Sequence, residues 1–128
     1  MRFFNNFFFL RLAIAVILLM HGVPSIVSGD VNIFGNEHLR AQGFGSMGLP
    51  LAWAIKLSHI AAAVCLLLNR FIKPAAIVTI IILVTGIFMV HLKDGWYVVG
   101  GGNNGVEFNF LLIFALLTLL FPGRQTTA

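Results

Sequence analysis

At 128 residues the chain carries 9% charged residues against 59% hydrophobic ones, with a mean hydropathy of +1.00. An ordinary soluble domain has roughly 25% charged residues, so this composition excludes a soluble globule and points to an integral membrane protein, with room for one compact domain over 1–128. Eight Lys and Arg against four acids give a net charge of +4, but the basic residues form no cluster, which argues against nucleic acid as a partner.

Four apolar segments follow in chain order, at about Phe7–Val27, Pro50–Leu68, Pro74–Leu92 and Val106–Phe121. A membrane-spanning helix needs about 20 residues, within a range of about 17 to 25. The first three fit; the fourth is slightly short unless it begins inside the glycine-rich stretch before it. Arg2 and the small residues near Ser25 resemble a cleaved signal peptide, but the stretch is long enough to span and reads as the first helix. Pro50 and Pro74 suit a first helical turn, where a missing N–H costs nothing. The predicted fold class is all-α, a four-transmembrane-helix bundle.

Basic residues orient the bundle. Arg2, Arg11, Arg70, Lys73 and Arg124 flank one side, whereas Arg40 and Lys93 on the other are offset by Asp30, Glu37 and Asp94. Lys and Arg favour the cytoplasmic side, which predicts cytoplasmic termini and outward-facing connections at 28–49 and 93–105. The first connection holds Ile33, Phe34, Leu39, Phe44 and Met47 among five glycines. That is too apolar for a free loop, so it is expected to lie on the outer surface, helical around Asn36–Gln42.

The polar residues of the spans gather towards that outer side. His21 lies about 9 Å from its helix end, and Lys56 and His59 about 9 and 13 Å, at 1.5 Å per residue. His91 closes the third helix; Glu107 and Asn109 open the fourth. These six residues form the candidate ligand pocket, and the inner halves hold only Ser, Thr and Cys65 besides an interfacial Arg11. Each has a plainer reading. Lys56 can snorkel to the headgroups, His21 can satisfy a carbonyl freed by Pro24, and His91 can simply be solvated. With Asn104 as N-cap, Glu107 falls at the third helical position and resembles a capping box. Asn109, about 200° further round the helix, cannot face the same point, so one of the two serves packing.

Cofactor chemistry finds little else to hold. His21 and His59 could ligate a haem iron, but nothing else supports it. A zinc site wants three or four close ligands, and the histidines show no such spacing, so no metal is expected. Cys65 is the only cysteine, so a dithiol relay within the chain is excluded.

The order of these residues resembles the DoxX family of small four-helix membrane proteins. The matching stretches are Arg11 to Gly22, Gly48 to Ala52, Asn69-Arg70, Val90-His91, Gly101-Gly102, Val106 to Leu112 and Phe121 to Arg124. The chain departs from the family at Gly22-Val23-Pro24-Ser25, where a Gly-Trp-x-Lys-like end is usual, and at Lys56, where the second helix often carries an acid. The resemblance implies four spans with both termini inside. It also implies membrane redox chemistry for some members, including a subunit resembling the small part of thiosulfate:quinone oxidoreductase, and oxidative-stress complexes for others. Two readings follow. In one, the pocket binds a quinone as part of a membrane redox system, with other redox subunits or a second copy as partners; His59 or Lys56 bonds a carbonyl and Glu107 exchanges protons with the outside. In the other, the chain is a non-enzymatic scaffold, assembly factor or small-molecule permease of the cell membrane, and the polar cluster holds its helices together.

Overall fold

The computed structural model describes residues 7–98 and 105–121. Among them the chain is helical, with four principal helices and no strand. It divides into two compact units, Met1–Arg70 and Phe71–Ala128.

The first unit is built on α1 (Phe8–Ser28) and α3 (Gly48–Leu68). α1 buries Arg11, Ile14, Ala15, Leu18 and Gly22, and α3 buries Gly48, Ala52, His59, Ala62, Ala63 and Leu66. Each set follows the three- and four-residue spacing of one helical face. α1 stops at Gly29, whose φ of 85° only glycine adopts without strain. α3 stops at Asn69 (φ 54°), where Asn69 N–H bonds the Leu66 carbonyl at 3.3 Å and Arg70 N–H the Cys65 carbonyl at 3.0 Å. That pair of bonds is a Schellman closure, with asparagine in the place usually given to glycine.

Between them, α2 (Asp30–Ile33) continues into wide π-type turns over Phe34–Phe44, breaks at Gly43 (φ 105°), and enters α3 through a 3-10 turn at Gly45–Met47. The helix expected around Asn36–Gln42 is therefore present and longer, beginning at Asp30. Buried Val31 and Leu39 fix it to the unit. At the contact with the start of α3 the two chains almost touch. A Cβ on Gly35 would lie 2.6 Å from the Cα of Leu49, and one on Gly48 would collide with the Gly35 carbonyl. Small residues permit such close backbone approach in membrane helices.

The second unit pairs α4 (Ile72–Gly86) with α5 (Glu107–Leu120). Ala76, Thr79 and Leu83 of α4 are buried, as are Asn109, Leu112, Leu116 and Leu119 of α5. α4 loosens into π turns at Ile87–His91 and ends in a 3-10 turn at Leu92–Asp94. Pro50 and Pro74 each occupy the third position of their helix, as the sequence suggests.

Phe8–Ser28, Asp30–Leu68 and Ile72–Asp94 are long and apolar enough to cross a membrane. α5, with 14 residues, extends only about 21 Å at 1.5 Å per residue, short of a hydrocarbon core of about 30 Å. Exposed Val16, Met20, Leu57, Leu68, Ile81, Phe88 and Leu111 suit a lipid-facing surface, since apolar side chains lose nothing against acyl chains.

Candidate functional site

In the first unit the polar groups meet where α1 crosses α3. Gly22 sets the separation: a Cβ there would lie 2.8 Å from Ile60 Cγ1 and 3.1 Å from the Lys56 carbonyl. His21 immediately precedes this contact and is exposed. Lys56 and His59, three residues apart on α3, share a helix face. Lys56 is half-buried, and its ammonium lies 5.6 Å from the centroid of the Phe34 ring, a cation–π contact worth about 0.5–2 kcal/mol. Trp53 Nε1 donates to Asn32 Oδ1 at 3.0 Å and ties α2 to α3 one turn away.

His59 is only 7% exposed, and its Nδ1 is buried with no hydrogen-bond partner among the described residues. Buried polar atoms are paired in the great majority of cases, and an unpaired one costs about 1–3 kcal/mol. A neutral imidazole nitrogen serves as donor or acceptor according to tautomer. His59 therefore presents one uncommitted hydrogen-bonding position on the buried side of α3.

In the second unit Asn109 and Glu107 bond the backbone of that unit. Asn109 Nδ2 donates to the Leu83 carbonyl at 3.2 Å, on the last regular turn of α4 before the π turns. Gly86 leaves room beside it, since a Cβ there would lie 3.6 Å from Asn109 Nδ2 and 3.9 Å from the His91 ring. His91 and Asn109 thus flank the same glycine. Glu107 has another task. Its Oε1 accepts from the Val98 N–H at 2.6 Å, while the N–H groups of Gly105, Val106 and Glu107 donate to the carbonyls of Tyr97, Gly95 and Trp96. A Cβ on Gly105 would lie 2.5 Å from the Tyr97 carbonyl oxygen, so this ladder requires glycine.

One sequence expectation changes here. Glu107 is the first residue of α5, preceded by Val106 with no side-chain cap, so it is not the third residue of a capping box; Asn104, the expected cap, lies outside the described residues. Arg11, near the start of α1, is 4% exposed, and its Nη1 donates to the Leu66 carbonyl at 2.6 Å. The last carbonyls of a helix lack internal partners and carry negative partial charge, so Arg11 completes the end of α3. Hydropathy flags an arginine at a span edge but cannot show an acceptor so far along the chain.

Lys56 and His59 thus share one face of α3 with His21 exposed on α1, His91 and Asn109 flank Gly86, and Glu107 holds a turn. No group of three or more His, Cys, Asp or Glu among the described residues is placed to hold a metal ion.

The DoxX family model matches residues 7–92. The chain is also similar to an uncharacterized protein of Haemophilus influenzae, 25% identical over 126 residues, covering 94% of this chain and 84% of the relative. No solved structure matches. With long apolar helices and a family match over most of its length, this membrane protein belongs to the DoxX family.

Proposed function

We propose that the protein is a small subunit or partner of a quinone-linked redox system in the bacterial cytoplasmic membrane, with four spans and both termini in the cytoplasm. The α1–α3 cluster is its quinone-head site. The observation carrying this reading is the buried, unpartnered Nδ1 of His59. A quinone oxygen accepts a hydrogen bond from an imidazole N–H, and satisfying a buried donor in lipid is worth more than in water. Lys56 would add positive potential beside the head, and the apolar faces of α1 and α3 would hold the isoprenoid tail. The quinone supplies two-electron, two-proton chemistry when bound; the chain orients its head.

Purification from native membranes in mild detergent, then organic extraction and absorption spectroscopy, tests this directly. The wild-type protein is expected to retain quinone, and His59→Ala to lose it without a change in helicity. A wild-type protein that carries no quinone and binds none added as short-chain ubiquinone sinks the reading.

A non-enzymatic role as scaffold, assembly factor or permease is favoured by a different observation. Arg11, Glu107 and Asn109 all bond the chain's own backbone, as residues do when polar groups serve helix association. On that reading, substitution of these three lowers stability and His59→Ala alters no ligand content.

A further inference from the structure

The charge balance of the α1–α3 cluster goes one step further than a quinone site and rests on the reading of that cluster as a ligand site. Neither α1 nor α3 contains an acidic residue. The acids of the first unit, Asp30 and Glu37, are exposed on the segment between them. Lys56 meets an aromatic face, Phe34. Beside it on the same helix face stands the buried, unpartnered Nδ1 of His59. A cationic group in apolar surroundings is stabilised by a counter-charge, and the two helices provide none.

We infer that the α1–α3 cluster selects an anionic oxygen head on an apolar body, so that among quinones it takes those with an ionised ring hydroxyl. Lys56 is the counter-ion. His59 donates from Nδ1, the tautomer that an anionic acceptor favours. The Phe34 ring faces the ammonium. A lipid phosphate offers the same anionic oxygen and is the other source from which such a head could come.

The test compares one scaffold in two charge states. A 2-hydroxy-3-alkyl-1,4-naphthoquinone is a vinylogous acid, ionised at neutral pH; its 2-methoxy ether is a neutral quinone of nearly the same shape. Both are titrated into the full-length protein in phosphatidylcholine nanodiscs, with binding read by quenching of tryptophan fluorescence. The hydroxy compound is expected to bind at least about tenfold more tightly. Lys56→Met should reduce that preference to within about twofold, and Lys56→Arg should keep it. His59→Leu should weaken both compounds. Equal binding of the two compounds by the wild-type protein overturns the inference while leaving the quinone site standing; binding of neither overturns both. A preference unchanged in Lys56→Met also overturns it. If Lys56→Met fails to fold, the wild-type ratio decides alone. Phosphatidylglycerol in the nanodiscs separates the sources: displacement of the hydroxy compound identifies a lipid phosphate as the occupant, and its absence leaves the ionised quinone.

Discussion

His59 and Arg11 are both buried polar residues, and their opposite bonding states give opposite predictions. Arg11 holds a partner, so Arg11→Met removes a charge-assisted bond to the Leu66 carbonyl and should cost about 1–3 kcal/mol. His59 Nδ1 holds none, so His59→Leu fills similar space without a stranded nitrogen and should be neutral or stabilising by up to about 1 kcal/mol. Chemical denaturation of the full chain in micelles, followed by circular dichroism, checks both; a destabilised His59→Leu would show that the nitrogen has a partner in solution. The sequence told how far each residue lies along its helix, because rise per residue is fixed. It could not tell which way each faces. His21 and Gly22 are neighbours, yet Gly22 meets α3 and His21 is exposed, a difference set by packing.

At the scale of elements, the boundaries of α1, α3 and α5 lie within two residues of those read from hydropathy, because glycine, asparagine and proline mark them. α4 differs: its regular turns end at Gly86 and widen into π turns through His91. Apolar composition continues across that point, so hydropathy has no signal for it. The segment from Asp30 to Phe44 was legible as too apolar for a loop, but its seat against α3 depends on Gly35 and Gly48. Gly35→Ala should therefore cost about 1–3 kcal/mol by overpacking and speed amide exchange across Asp30–Phe44, which in the wild-type protein should exchange slowly. Rapid exchange there in the wild type would refute the packed helix. For Glu107 the pair Glu107→Gln and Glu107→Ala separates charge from hydrogen bonding. The amide keeps an acceptor for Val98 and loses only the interaction with the helix end, about 0.3–1 kcal/mol. The alanine strands the Val98 N–H and should cost about 1–3 kcal/mol. Thermal unfolding monitored by circular dichroism reads both.

For the whole molecule, composition alone was enough to identify a membrane protein, since so few charges cannot clothe a water-facing surface. The proposed orientation predicts that a cytoplasm-specific reporter works at either terminus and fails when inserted after Asp94; activity from that position reverses the topology. The bond from Arg11 to Leu66 spans 55 residues of sequence, and that separation becomes a delay when the protein is made. At about 5–20 residues per second, α1 leaves the ribosome several seconds before its acceptor exists. During that interval the guanidinium has no α3 helix end to lean on, so the α1–α3 pair is completed only after α3 has been made.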